Sequence, residues 1–349
     1  MKMIQRARRW IRRAAYMPRI VEEFSERLTL IEAAMQKLEP LASPQVKPAP
    51  SPQVDPLSVY TGFTEADLEV FAPFADIRRE PRPGCITNFL GVQMPTRYVR
   101  GSEGLAGRVL GLPVPTDGWH SEAVEWIGAL KAVLAAQGRF VSLELGAGWG
   151  PWSVAAGVAA RHLGIAEIRL RAVEADPGHH AFLVEHLHDH GFTSPSAEAY
   201  LAAVGAEDGT ARWPRVPDPA GDWGSAPQAE NAETDHIGRQ VQDWMDVRVL
   251  GINSLLAAEP IYDLVHIDIQ GGELDVCRAG IASLNERARF VIIGTHDSRL
   301  HGELIQLFFQ NEWVLENEKP PRFRWRQGAK SLVAMVEHDG TLVLRNSRR

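Results

Sequence analysis

Cysteine is nearly absent: Cys85 and Cys277 are the only two in 349 residues. Two thiols cannot build a disulfide framework or a thiolate metal cluster, and their scarcity fits a reducing cytoplasm. No apolar run reaches the length needed to span a bilayer, and the basic start lacks the apolar core of a signal peptide. Acids are missing from residues 1–20, where Lys2, Arg6, Arg8, Arg9, Arg12, Arg13 and Arg19 stand. The rest of the chain is therefore more acidic than the net charge of −7 suggests, which argues against nucleic acid as the main substrate. What is present, 45% hydrophobic residues, is ample for a sizeable core with appendages.

The appendages come first. Met3, Ala7, Trp10, Ala14, Met17, Val21, Phe24, Leu28, Ile31, Met35 and Leu38 recur at alternating spacings of four and three, the seam of a heptad repeat. Residues 1–38 thus read as a basic, heptad-bearing helical arm suited to homo-oligomer formation, interrupted at Pro18. Packing of the helix on its own domain, or peripheral contact of Trp10, Ile11 and the arginines with an anionic membrane surface, are the alternatives. Residues 39–56 carry six prolines and two copies of Ser-Pro-Gln-Val, a semi-extended linker. An accessory region at 57–117 opens with Thr64-Glu-Ala-Asp67, a helix-start signature, and the main domain is expected over 118–346.

Within that domain Phe140-Val-Ser-Leu-Glu-Leu-Gly-Ala-Gly-Trp-Gly-Pro-Trp-Ser153 carries the most information. An apolar run breaks into Gly146, Gly148 and Gly150 and then a helical pattern. Glycines let the backbone take positive φ and approach a ligand, while the helix start is expected to offer unpaired N–H groups to a carboxylate or phosphate. The next strand-like run ends in Glu174, whose carboxylate can accept hydrogen bonds from both hydroxyls of a ribose. Glycine loop and ribose acid together make a nucleoside-binding pair.

Strand and helix then alternate: 140–145, 151–163, 168–174, 178–190 and 199–205, with further strands at 247–250, 262–269 and 289–295. The alternation predicts a parallel sheet with its ligand at the carboxyl ends of the strands. An acidic, Pro- and Gly-rich interval at 206–245 reads as a substrate-side loop. Runs at 331–336 and 341–345 are expected to form a terminal antiparallel hairpin across Asp339-Gly340. A helix before the glycine loop is expected to start at Ser121 and run through Val124, Ile127, Leu130 and Leu134.

Leu143-Glu-Leu-Gly-Ala-Gly-Trp-Gly150, Val173-Glu-Ala-Asp-Pro177, His266-Ile-Asp-Ile-Gln-Gly-Gly-Glu273 and Ile293-Gly-Thr-His296 together resemble class I S-adenosylmethionine-dependent methyltransferases, and more closely the FkbM family. The resemblance spans roughly residues 118–337. It implies an α/β, Rossmann-like, doubly wound sheet of seven mostly parallel strands. A family member usually carries lysine and an acid where His266 and Gln270 stand, and a Glu before the later histidine where this chain has Gly294-Thr295. The resemblance further implies S-adenosyl-L-methionine as cofactor, held by Glu144, Gly146, Ala147, Gly148, Trp149 and Gly150, with Glu174 and Ala175 at the ribose and Ala206 and Glu207 near adenine. The implied reaction is O-methyl transfer to a small-molecule or glycan acceptor. An NAD-dependent oxidoreductase and a non-catalytic scaffold in glycan assembly are the competing functions. The third glycine misses the Gly-x-Gly-x-x-Gly spacing, which weighs against NAD.

On the acceptor side the candidates are Asp268, His296, Glu273 and His266. A base near the methyl would deprotonate a hydroxyl, and Asp268, His296 and Asp297 could instead bind Mg²⁺. Each has a plainer reading as well: His266 as a satisfied core histidine, Glu273 as a cap of the helix after it. His179, His180, His186, His188 and His190 read as a solvated helix face rather than a zinc site. Trp149 and Trp152 flank either the cofactor or the core of the first helix.

Overall fold

A strand with layers packed on both faces is buried at every position rather than at alternate ones, and β4 (Arg139–Leu145) shows this: only its first residue is partly exposed, and even Ser142 and Glu144 are buried. The computed structural model describes residues 62–113, 122–229, 231–235, 238–329 and 333–349. The heptad arm, the proline linker and Ser121 lie outside the described residues.

The accessory region begins with a 3₁₀ helix, Glu65–Phe74, where Thr64 and Asp67 form the expected capping box. A small sheet of β1 (Cys85–Thr87), β2 (Gln93–Pro95) and β3 (Arg108–Val109) follows. Helix α1 (Ala123–Ala135) then leads into the alternating body: β4, α2 (Pro151–His162), β5 (Glu167–Glu174), α3 (Pro177–Asp189) and β6 (Ala197–Leu201). Next come β7 (Ala203–Gly205), β8 (Gly209–Pro214), β9 (Trp244–Gly251), α4 (Ile252–Leu256), β10 (Tyr262–Ile267), α5 (Glu273–Arg287), β11 (Ala288–Thr295) and α6 (Ser298–Gln310). The chain closes with β12 (Trp313–Lys319), β13 (Arg322–Phe323), β14 (Val336–His338) and β15 (Gly340–Asn346).

Seven strands form the main sheet in the order β12-β15-β11-β10-β4-β5-β6. Six run in one direction, and β15 runs antiparallel to its neighbours β11 and β12. Residues of α1 and α2 pack with Phe140, Leu170, Leu264, Ile292 and Val343 on one face. Residues of α5 and α6 pack with Val141, Leu143, Val265, Val291 and Leu344 on the other. Between β4 and β10 the strand order reverses direction, and ligands of open α/β sheets bind in the crevice at such a point.

Two expectations are corrected. The strand foreseen at 199–205 is two strands, because the chain leaves the main sheet at Ala202 and β7 joins a separate sheet, β7-β9-β8. The antiparallel end of the main sheet is also not the hairpin 331–336/341–345: β15 pairs with β12, while β14 pairs with β13. A short loop favoured the wrong neighbour, and β12 gave little strand signal because its second half is the polar run Glu316-Asn-Glu-Lys319. The 206–245 interval is part sheet, since β8 and the start of β9 pair there, and part loop.

Candidate active site

The reversal point sets the glycine loop against the end of β10. Asp268 donates its backbone N–H to Leu145 O at 2.9 Å, and a Cβ on Gly146 would overlap the Asp268 carbonyl. Gly146, Gly148 and Gly150 all take positive φ (74°, 56° and 72°), so here glycine is a steric requirement. A cavity of about 310 Å³ opens at this edge, lined among others by Gly146–Trp149, Glu174, Ala175, Ala203, Trp213, Trp223 and Asp268.

The loop's donors are mostly spent inside the protein. Gly146 and Ala147 donate to Val173 O, Gly150 donates to Ala147 O, and Gly148 donates to Glu174 Oε2 at 2.8 Å. The start of α2 is likewise filled, because Glu144 accepts from Trp152 N at 3.1 Å and Ser153 N at 2.7 Å. Burial pushes the Glu144 carboxyl up, against the pull of His266 and of these donors. The expectation of free N–H groups waiting for a ligand anion is therefore corrected: the chain supplies its own carboxylate. Glu174 also accepts from Asp176 N at 2.7 Å, which leaves each of its oxygens a further lone pair for a hydroxyl.

Ala206 and Glu207 do not line the cavity; Ala202, Ala203 and Val204 do. Glu174 pairs with Leu201, so the residues level with it are 201–203, and 206–207 lie beyond the end of β7. The missed wall comes from the 206–245 interval. Trp223 stacks on His179 (3.9 Å between ring centroids, 11° between planes) and meets Trp149 edge-on at 4.8 Å. His179 contacts Pro219 O at 2.8 Å, and Arg100 binds the same strap through its backbone N–H to Ala220 O and an ion pair with Asp218.

The histidine run is not a solvated face. His179 and His186 are buried, His186 Nδ1 contacts Trp149 O at 2.9 Å, and His190 Nε2 accepts from Gln93 N at 3.0 Å. Burial, aided by His190, pushes His186 down to about 3, so it is a neutral pin behind the glycine loop. Trp152 packs edge-on against Trp126 at 4.9 Å and stacks on His266 at 5.3 Å, which makes it a core residue that also touches the site.

On the other side of the cavity, His296 sits between two acids. Its Nε2 is 3.2 Å from Asp268 Oδ1 and its Nδ1 is 3.2 Å from Glu273 Oε1. Burial alone would lower the imidazole pKa, but the two carboxylates outweigh it and hold His296 well above its ordinary value. Asp268 is pulled the other way: burial raises it, and His296 more than offsets this and holds it low. A protonated His296 is a donor and an orienting group, not a base. Glu273, fully buried, accepts from Ile269 N and Gly271 N and so fixes the turn before its helix.

Asp297 is corrected as a metal ligand, because its carboxylate accepts from Leu300 N at 2.7 Å as the N-cap of α6. Among the described residues the trio with metal-like spacing is Asp268, Glu273 and His296. It fits Mg²⁺ poorly: the Glu273 oxygens are committed to backbone N–H groups, and an imidazole is a poor ligand for a cation that prefers oxygen. His266, on the strand below, is buried with Nε2 3.3 Å from Glu125 Oε1. Burial would lower its pKa, but Glu125 outweighs that and raises it. Glu125 was not foreseen, since a lone acid inside the apolar pattern of α1 carries no signal of what it faces.

A second cavity, of about 560 Å³, shares Glu125, Trp223, Gly224, Asp268 and Gln270 with the first and adds His296. The glycine loop and the His296 pair thus lie on two cavities that share a wall.

No family model matches the sequence. Over 240 residues it is 32% identical to a Jannaschia sp. (strain CCS1) protein named "Putative methyltransferase", covering 68% of this chain and 85% of that one. Among solved structures it is similar to precorrin-6y C5,15-methyltransferase of Geobacter metallireducens GS-15 (13% identity, 64% of this chain, 88% of that chain, TM-score 0.35). It is also similar to methyltransferase FkbM of Methylobacillus flagellatus KT (10% identity, 63% and 54%, TM-score 0.35). At those TM-scores the structural likenesses carry no part of the argument. The sequence relative does: this chain belongs to the methyltransferase family of the Jannaschia protein.

Proposed function

We propose that the protein is an S-adenosylmethionine-dependent O-methyltransferase of FkbM type, acting in the cytoplasm on a hydroxyl of a saccharide or another polyhydroxylated metabolite. One observation carries the choice of cofactor. Glu144 fills the N-terminus of α2, where a dinucleotide would place its pyrophosphate, while Glu174 keeps lone pairs free beside the glycine loop. A nucleoside without phosphates suits such a site, and NAD does not. The non-catalytic reading has no use for this arrangement.

When bound, S-adenosylmethionine supplies a methyl group already activated by its sulfonium, so the protein's task is mainly alignment. Glycines 146 and 148 would let the backbone lie against the methionine part, Glu174 would accept from the ribose, and Ala202–Val204 with Trp213 would offer an apolar bed to the adenine. Asp268 accepts a hydrogen bond from the acceptor's hydroxyl and takes up its proton as the O–CH₃ bond forms and the methyl leaves sulfur, while the protonated His296 holds that carboxylate in place. The weak basicity of Asp268 makes positioning, rather than strong base catalysis, the larger contribution.

The test is transfer of labelled methyl from S-adenosylmethionine to a panel of methyl glycosides, polyols and RNA. Label in the sugar or polyol fraction that resists mild alkali, as a methyl ether does and a methyl ester does not, supports the reading. Label confined to RNA contradicts it. Activity is expected to survive EDTA; loss on EDTA with recovery on Mg²⁺ would restore the metal version at Asp268, Glu273 and His296.

A further inference from the structure

The run Arg322-Phe-Arg-Trp-Arg326, from the start of β13, interleaves cationic and aromatic side chains, and all of them are exposed. Phe323 is 49% exposed and Trp325 76%, and neither ring meets another aromatic ring among the described residues. Arg322 has no ionic partner among them, and Arg324 and Arg326 reach one shared acid, Glu337, only at 3.8 and 3.9 Å. The backbone beneath is anchored, because Arg324 N–H donates to the carbonyl of the buried Met335 at 2.8 Å and Arg326 N–H to its sulfur at 3.4 Å. Apolar rings and spare guanidiniums held together in water mark a surface that a ligand covers.

The place of this strip in the fold narrows what covers it. β13 pairs with β14, with Arg322 opposite His338 and Phe323 opposite Val336, and β14 lines the second cavity together with Asp268 and His296. Paired strands lie about 4.8 Å apart, so the strip begins one strand's width from the cavity rim. The two surfaces differ in sign: acids outnumber bases around the cavity, while the strip holds arginines with Glu337 alone to share. An occupant that enters the cavity with neutral hydroxyls and lays its negative charge on the strip suits both.

We propose that the strip docks an acidic oligosaccharide acceptor. A neutral sugar unit enters the second cavity toward Asp268, a carboxylate on a neighbouring unit pairs with the arginines, and Phe323 and Trp325 lie on the apolar C–H faces of the sugar rings. The inference rests on the reading above, that Asp268 meets the hydroxyl of a saccharide. A guanidinium fork matches a carboxylate bidentately, and such charge-assisted bonds are about twice as strong as neutral ones. Single-stranded RNA also offers anions and stacking faces, but a chain of net charge −7 repels a dense polyanion more than a sparsely charged glycan. An anionic bilayer would use the rings and arginines but not the cavity beside them.

The experiment titrates the full chain, with and without saturating S-adenosylhomocysteine, by ligand-observed NMR. The probes are a hyaluronan tetrasaccharide, in which glucuronate alternates with N-acetylglucosamine, and neutral chitotetraose. The acidic probe is expected to bind about ten-fold tighter, with the preference shrinking as salt is added. The triple change Arg322→Gln, Arg324→Gln and Arg326→Gln is expected to cut the preference to about two-fold or less, with S-adenosylhomocysteine affinity unchanged. Trp325→Ala is expected to weaken both sugars by about five-fold. Equal binding of the two probes, or a preference that survives the triple change, overturns the inference. So does tighter binding of a single-stranded RNA, or of phosphatidylglycerol vesicles, that the triple change abolishes. Failure of S-adenosylhomocysteine to bind would bring down the cofactor reading, whereas the sugar preference, also measured without it, decides the strip by itself.

Discussion

Glu144 and Ser153 are nine residues apart and joined by a 2.7 Å hydrogen bond from the Ser153 N–H to the Glu144 carboxylate, which also accepts from Trp152. The helix after the glycine loop therefore begins on a carboxyl group built into β4. Changing Glu144 to Gln sets an amide N–H₂ against one of two buried N–H donors. A stability loss of about 1–3 kcal/mol in urea unfolding is expected. An unaltered midpoint would mean that the interaction adds nothing to the fold.

Glu174 holds the glycine loop through Gly148 N and, in the proposed reading, is the acceptor for the ribose. Glu174→Ala removes two ligand hydrogen bonds and also frees Gly148 N, so S-adenosylhomocysteine affinity should fall by about 1–3 kcal/mol or more. Calorimetric titration of the variant gives this number. Wild-type affinity would take Glu174 out of the site.

The sign of the pH effect at His296 follows from its neighbours, Asp268 and Glu273 in contact and Asp339 close enough to feel its charge. With its pKa held above the ordinary 6.5, His296 contributes stability that is complete below that value and fades as pH rises through the raised one. Asp268, held below its ordinary 3.8, contributes above that value and loses its contribution as pH falls through the lowered one. Wild type should therefore exceed His296→Gln most clearly between about pH 4 and 6.5, with the gap narrowing toward alkaline pH. Denaturation at a series of pH values measures the gap, and a gap that widens above neutrality would show that His296 is buried neutral.

The N-terminal arm is expected to drive self-association without touching the chemistry. Deleting residues 1–56, the heptad arm and its proline linker, should lower the mass seen by light scattering and leave S-adenosylhomocysteine affinity within about two-fold of wild type. A full-length protein that is already monomeric would reject the role.

The body of the sheet was legible because its signals are local. An apolar run into alternating glycines fixes β4 and α2, and an acid ending the next run marks Glu174; these need no knowledge of distant contacts. Asp268 and His296 were placed together from their positions at the ends of β10 and β11, which are paired in the sheet. The failures were long-range or depended on burial. The β12–β15 pairing joins segments separated by the β13–β14 excursion, and proximity in sequence favoured a hairpin instead. Ala206 and Glu207 were misplaced by a single break at Ala202, which no composition marks. Trp223 sits in a Pro- and Gly-rich interval whose path is set by Arg100 and His179, and Glu125 is an acid on a helix whose neighbours are nearly all buried.

Calorimetric titration of the full-length protein with S-adenosylhomocysteine and, separately, with NAD tests the central claim most directly. The occupied helix start and the waiting Glu174 predict micromolar or tighter binding of S-adenosylhomocysteine, about 8 kcal/mol or more, with no saturable heat from NAD. Tighter binding of NAD than of S-adenosylhomocysteine would contradict the account.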